Sequence, residues 1–176
     1  AMQSVADILD TPYGAKLLEP PYRHHYFDGA LMHIFNPDTK ENGGIFSQSQ
    51  GWLILAEALL GHGNAAFRYF TESSPAAMHW LTGTASTVMV GCVEGICGMR
   101  PDADGLAIRP SIPAEWDGMK MHKVFRGKQL NIIVQNPNHV ESGVCALTLN
   151  GEALQGDYVP AEKLQDTNEI VVTLGK

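Results

Sequence analysis

The chain has 176 residues, 44% of them apolar and 18% charged, and a formal net charge of −7. That length can build one good core or two small ones, and the composition argues against a disordered tail. The acidic balance and the lack of a basic run argue against a nucleic-acid partner, and no apolar stretch is long enough to span a membrane.

Val5 to Leu9 reads as the end of a helix. From Asp10 to Gln50 the chain is rich in Pro, Gly, His, Asn and aromatics, a long irregular segment of the kind that often carries function. Trp52, Leu55, Ala56, Leu59 and Leu60 recur at helical spacing and predict a helix over 51–60, with Gly61 and Gly63 as its stop. Asn64 is placed to cap a second helix carrying Ala65, Phe67, Arg68 and Phe70, which Pro75 ends. A third helix after Gly83 carries Ala85, Val88, Met89, Cys92, Val93 and Ile96 and stops at Gly98. Gly91 and Gly95 inside it lower helix propensity and would permit close helix packing.

Near residue 100 the pattern changes to strands: Leu106 to Ile108, Met119 to Phe125, Gln129 to Gln135, Val144 to Leu149 and Glu169 to Leu174. Arg126-Gly127-Lys128 reads as a hairpin connection and Asn150-Gly151 as a tight turn. The expected architecture from about residue 104 onward is a small antiparallel sandwich. Cys92, Cys97 and Cys145 are odd in number and fit no metal spacing; they read as buried reduced thiols of a cytoplasmic protein. The N-terminus has no basic-then-apolar leader, and Ala1-Met2 reads as a residue before an internal start, the mark of a fragment.

Four phrases are candidates for chemistry. Lys40-Glu41-Asn42-Gly43-Gly44-Ile45-Phe46 leads into the first long helix. Its glycines either let a ligand approach the main chain beside Glu41 and Asn42, or simply form a tight turn with Asn42 bonding its own backbone. Trp80-Leu81-Thr82-Gly83-Thr84-Ala85-Ser86 puts hydroxyls and a glycine at a helix start. There the free N–H groups and dipole attract anions such as phosphate, unless Thr82 or Thr84 is only a cap. In Tyr22-Arg23-His24-His25-Tyr26-Phe27-Asp28 the adjacent histidines point opposite ways on an extended segment, so no metal site is expected; the aromatics suit sugar, or are loop decoration. Asp102-Ala103-Asp104-Gly105-Leu106 and Ile112-Pro113-Ala114-Glu115-Trp116 lack calcium-ligand spacing and read as turns, with Trp116 a packing anchor.

Taken in order, Leu9-Asp10-Thr11-Pro12-Tyr13-Gly14, Lys40-Glu41-Asn42-Gly43-Gly44-Ile45-Phe46, Glu57-Ala58-Leu59-Leu60-Gly61, Trp80-Leu81-Thr82-Gly83-Thr84-Ala85-Ser86, Gly98-Met99-Arg100-Pro101, Ile112-Pro113-Ala114-Glu115-Trp116 and Phe125-Arg126-Gly127 resemble the C-terminal part of glycoside hydrolase family 94. That family holds cellobiose, cellobionic acid and chitobiose phosphorylases and the related domain of cyclic β-1,2-glucan synthases. The resemblance implies an α+β chain. Residues 1–100 would be the last helices and active-site loops of an (α/α)6 barrel, and residues 101–176 a small antiparallel β-sandwich or jelly roll. It also implies a homodimer, or association with the missing barrel portion.

The implied reaction is phosphorolysis of a β-glucoside with inversion. Phosphate attacks the anomeric carbon, one carboxylic acid protonates the leaving oxygen, and no cofactor is needed beyond inorganic phosphate as co-substrate. By resemblance Thr82 and Gly83 bind phosphate, Thr84 assists, and Glu41 and Asn42 border the sugar pocket. Gln48 stands where the family commonly has a phosphate-binding His; it can donate an amide hydrogen bond but carries no charge. Leu31 stands where cellobiose-acting members have an acidic residue, and only Met78 and His79 separate Ala77 from Trp80 where the family has a much longer segment. None of Asp7, Asp10 or Asp28 matches the family's catalytic acid, so the expected chain is inactive alone. The other expectations are a fragment of a cyclic β-1,2-glucan synthase, or a remnant that binds carbohydrate or protein without catalysis.

Overall fold

The computed structural model describes residues 1–23, 34–73 and 83–175. The chain opens with a short helix, α1 (Met2–Ser4), that widens into a π-helical turn over Val5–Leu9. Three longer helices follow: α2 (Ser47–Leu59), α3 (Gly63–Glu72) and α4 (Gly83–Val90), the last continued by a π-helical segment Gly91–Ile96. Gly61 adopts φ +82° at the end of α2 and Gly98 φ +70° after the π-helical segment, the left-handed stops expected of them.

Helix α2 begins four residues before the expected Gly51, because the polar start Ser47–Gln50 is held by a buried side chain, Gln50. Asn64 does not cap α3. Its Oδ1 accepts the Ala114 N–H at 3.0 Å and its own N–H donates to Glu141 at 2.8 Å, so it ties α3 to the strand region. Trp116 completes that tie, meeting Phe67 edge-on at 4.8 Å between ring centroids.

Eight strands form two sheets: β1 (Met99–Pro101), β2 (Gly105–Ile108), β3 (Gly118–Phe125), β4 (Lys128–Gln135), β5 (Val144–Leu149), β6 (Glu152–Leu154), β7 (Tyr158–Pro160) and β8 (Thr167–Leu174). The smaller sheet has order β1-β2-β7, the larger β3-β4-β8-β5-β6. Arg126-Gly127 joins β3 to β4 and Asn150-Gly151 joins β5 to β6, both pairs at positive φ as two-residue hairpins require.

The larger sheet corrects one expectation: it is mixed, not antiparallel. Strand β8 pairs in parallel with β4, Leu130 opposite Asn168 through Gln135 opposite Thr173, and antiparallel with β5. The long excursion through β5, β6 and β7 lets the chain return in the β4 direction, which a tight hairpin cannot do. Alternate residues of both strands, Leu130, Ile132 and Val134 with Ile170, Val172 and Leu174, are buried on one face. They join Ile54, Ala66, Tyr69, Val88 and Ile96 of the helices and Leu106, Ile108 and Ile112 in one core cluster.

Helices α2 and α4 lie against each other closely enough that backbone leaves no room for a side chain at Gly51 and Gly91 and little at Gly95. A Cβ on Gly51 would fall 2.4 Å from the Thr87 carbonyl carbon, one on Gly91 would fall 2.8 Å from the Gly51 oxygen, and one on Gly95 would fall 3.2 Å from the Ala58 Cβ. These contacts advance in the same direction along both partners, so α2 and α4 with its extension run parallel. On their outer surfaces Trp52, Leu59, Leu60 and Met89 are more than half exposed.

Candidate functional site

The irregular segment before α2 is stapled by two buried amides. Asn42, fully buried, donates from Nδ2 to the carbonyls of Tyr22 and Phe35, each at 2.9 Å, and accepts the Tyr22 N–H on Oδ1 at 2.7 Å. Gln50 accepts the Ala15 N–H and donates to the Ala15 carbonyl, both at 2.9 Å, and reaches the Phe46 carbonyl at 3.2 Å. A side chain with every polar atom committed holds a loop in shape rather than offering contacts to a ligand. Asn42 thus does bond backbone, but that of a segment twenty residues away instead of its own.

Between the staples, the Gly44 N–H closes a turn onto the Lys40 carbonyl at 2.8 Å, and the Gly44 carbonyl accepts the Leu17 N–H at 3.0 Å. A Cβ on Gly44 would lie 2.6 Å from the Lys40 oxygen, so glycine is required there. Glu41 is exposed at the tip of this turn. Beside it lies a cleft of about 540 Å³ lined by Thr11, Tyr13, Lys16, Asp38, Gly43 and Ile45. Lys16 pairs with Asp38 at 2.6 Å and with Glu19, and these hydrogen bonds hold its pKa above the ordinary lysine value. Tyr13, 66% exposed, adds an aromatic face. In the sequence the Tyr13 phrase stands out only as part of the family resemblance; its turn, closed by the Thr11 hydroxyl donating to the Gly14 carbonyl at 2.6 Å, is the signal that places it.

The parallel run of α2 and α4 brings two helix N-termini to one end. Gln48 is exposed in the first turn of α2, whose preceding residue Phe46 supplies no side-chain cap. Gly83 opens α4, and Thr84 follows it in the first turn. Two parallel dipoles side by side present their positive ends together, the arrangement that favours an anion. Thr82 lies outside the described residues, as do His24 to Asp28, Leu31 and the segment from Ala77 to Leu81. The structure therefore places Gln48 and Gly83 at a common end and leaves Glu41 and Asn42 on a separate turn, one exposed and one buried.

Several other titratable groups have local partners, although one buried oxygen each of Asp10 and Glu72 has none among the described residues. Asp10 pairs with Arg68, which also contacts Glu72 at 3.0 Å, and Asp7 accepts from Gln3 at 2.8 Å. Asp102 folds the turn into β2, accepting the N–H groups of Asp104 and Gly105 and the Tyr158 hydroxyl; that hydroxyl bond lowers the Asp102 pKa and pushes Tyr158 up to about 12. Among the described residues no cluster of three or more metal-ligating side chains occurs, and no helix is long and apolar enough to cross a membrane.

Cys92 and Cys97 are only half-buried, which corrects the expectation of buried thiols for this pair, and Cys145 is exposed. The π-helical turn, closed by the Cys97 N–H on the Cys92 carbonyl at 2.8 Å, brings residues five apart together. The neighbouring Cys97 thiol draws the Cys92 pKa down to about 7, while Cys97 itself is pushed up by Cys92 and by burial. Alkylation of Cys92 is expected to rise as pH passes through about 7. In Cys97→Ala that midpoint should climb toward the ordinary thiol range, as read by peptide mapping; an unmoved midpoint would show that Cys97 has no such influence.

Residues 1–79 match the model of the glycosyl hydrolase 94 superfamily catalytic domain, and residues 99–151 that of the glycosyl hydrolase family 65 C-terminal domain. An N,N'-diacetylchitobiose phosphorylase of Vibrio proteolyticus is 31% identical over 99% of this chain and 26% of its own length. A solabiose phosphorylase of Paenibacillus borealis is 28% identical over 90% of this chain and 25% of its own. A cyclic β-(1,2)-glucan synthase of Rhizobium meliloti is 26% identical over 81% of this chain and 6% of its own. The chain spans about a quarter of the length of the phosphorylases it matches. The Vibrio alignment runs over 206 positions against 176 residues here, so at least 30 of those positions have no counterpart in this chain. With the order of its motifs, the family-model match and relatives that align along nearly its whole length, the chain belongs to the glycosyl hydrolase 94 superfamily.

Proposed function

We propose that this chain is a portion of an inverting glycoside phosphorylase, in which inorganic phosphate cleaves a β-linked disaccharide or oligosaccharide to a sugar 1-phosphate. The observation that carries this reading is the pairing of two parallel helix N-termini at the position where the family resemblance puts phosphate. Phosphate bound there would accept from the free N–H groups of the first turns and from Gln48, with Thr82, Gly83 and Thr84 as its cradle. Sugar would lie across the turn carrying Glu41, which Asn42 holds in place from behind, with the Tyr13 face beside it. The helical residues to about 100 are assigned to the closing part of a barrel and the remainder to its sandwich cap, in keeping with the two family-model matches on either side of that point. The exposed apolar residues Trp52, Leu59, Leu60 and Met89 suit burial against further barrel helices or a second copy of the chain. The protein would work in the cytoplasm.

No catalytic acid is assigned within the chain: Asp10 is held by Arg68 and Asp7 by Gln3. The test is phosphate-dependent release of sugar 1-phosphate from a panel of β-linked disaccharides, by this chain and by the full-length parent side by side. Activity in the parent alone supports the proposal, and turnover by this chain alone refutes the missing acid. In the active parent, Gln48→His is expected to lower the KM for phosphate about tenfold, since it adds a charge-assisted hydrogen bond; a KM unchanged would remove Gln48 from the phosphate site. A second reading, a non-catalytic remnant, is favoured by Gln48 itself and by the positions missing relative to the Vibrio enzyme. Inactivity of the parent, with sugar binding that ignores phosphate, would select it. The cyclic glucan synthase alternative has the lower identity, 26%, and would show as activity on β-1,2-glucan chains.

A further inference from the structure

Where the helices meet the sheets, a cleft of about 270 Å³ opens at the C-terminal end of α2, with Leu60, Gly61, Arg100, Arg109, Ser142 and Asp157 among its walls. It lies at the opposite end of α2 from Gln48, roughly 18 Å away along a helix of this length. Two guanidinium groups share it with one carboxylate.

Arg109 takes that carboxylate, donating from Nε and Nη2 to the two oxygens of Asp157 at 2.6 and 3.1 Å. Arg100 donates from Nε alone, to the Glu94 carbonyl at 2.9 Å. Glu94, which also borders a neighbouring cavity with Val93, Met99 and Lys123, and Asp157 both act on Arg100 through their charge. Burial and then the Arg109 charge push the Arg100 pKa down, against a smaller upward pull from Glu94 and Asp157. The end of α2 does not call for these cations. Its Ala56 and Glu57 carbonyls accept the Leu60 N–H, the His62 N–H also reaches Glu57, and the Ala58 carbonyl accepts from Gly61. Two arginines on one cleft, one of them using a single donor, supply the guanidinium chemistry that binds oxyanions.

We propose that this cleft is a second anion site, taking the phosphate or carboxylate group of a small molecule between Arg100 and Arg109, with Ser142 at its rim. Its ligand is independent of the phosphate proposed at the start of α2. Because the walls come from α2, β1, β5 and the connections next to β2 and β7, a bound anion clamps the helices to the sheets, so occupancy raises the melting temperature of the whole chain.

The test is thermal unfolding and calorimetric titration of the full chain with inorganic phosphate and, in a second arm, acetate, each against chloride at matched ionic strength. Phosphate or acetate should raise the melting temperature above chloride, and the arm that does so names the group bound. Arg100→Gln should weaken binding about tenfold, whereas Thr82→Val, aimed at the other proposed phosphate site, should leave this binding unchanged. Because Arg100→Gln also removes a backbone contact, Asp157→Asn supplies a gain-of-binding check: it frees Arg109 and should tighten the anion several-fold. The proposal is overturned if phosphate and acetate act no differently from chloride. It also fails if Thr82→Val abolishes the effect while Arg100→Gln keeps it, or if Asp157→Asn leaves affinity where it was.

Discussion

Gly51→Val is expected to lower the unfolding free energy by about 3 kcal/mol. The added branched side chain would start 2.4 Å from the carbonyl carbon of Thr87 and 2.5 Å from its oxygen, and both are backbone, so no side chain can swing aside. The helices must separate, which unpacks Ile54 and Val88, both essentially fully buried at the same seam. Trp52→Ser, one residue on but 63% exposed, should change stability by no more than about 0.5 kcal/mol in this chain. Chemical denaturation of the two variants reads the contrast. Equal stability of Gly51→Val and the parent sequence would mean that α2 and α4 do not approach as described, and the shared N-terminal end would go with them.

A loss of about 3 kcal/mol is likewise expected for Asn42→Ala, this time from lost hydrogen bonds and not from a clash. The amide makes three hydrogen bonds to the backbone of Tyr22 and Phe35 in a place with no solvent access, so truncation removes all three and strands buried polar groups. Neighbouring Glu41→Ala, at an exposed position, should leave the melting temperature within error while weakening sugar binding if the turn faces substrate. The pair separates a supporting residue from a contacting one. Should Asn42→Ala melt like the parent sequence yet lose sugar, the amide would be a ligand contact after all.

How much of this was legible beforehand depends on what each signal measures. Helical spacing located α2, α3 and α4 because it reports which faces are apolar, and Gly91 and Gly95 announced close packing. The same signal missed Ser47–Gln50, since a buried glutamine reads as polar. Strands β1, β6 and β7 are three residues each, too short for any alternation to register. Alternation is also blind to strand direction: Leu130, Ile132 and Val134 would look the same beside a parallel or an antiparallel neighbour, which is why the mixed sheet was not foreseen.

At the site, the family resemblance named Gln48 and Gly83, but their shared end is a tertiary fact that follows from α2 and α4 running parallel. Asn42 and Asn64 carry the same lesson. Local rules expected each to serve its own turn or helix, and each instead bonds backbone from another segment.

The position of β8 governs the order in which this chain can fold. The eight residues Thr167–Leu174 fill the centre of the larger sheet, so the hairpins β3–β4 and β5–β6 share no direct pairing and wait for a segment about thirty residues beyond β4. On a ribosome the β3–β4 hairpin would emerge with the apolar edge of Leu130, Ile132 and Val134 open until synthesis nears Leu174. The interval between those two events is when the nascent chain is most open to wrong strand partners, and most in need of a chaperone.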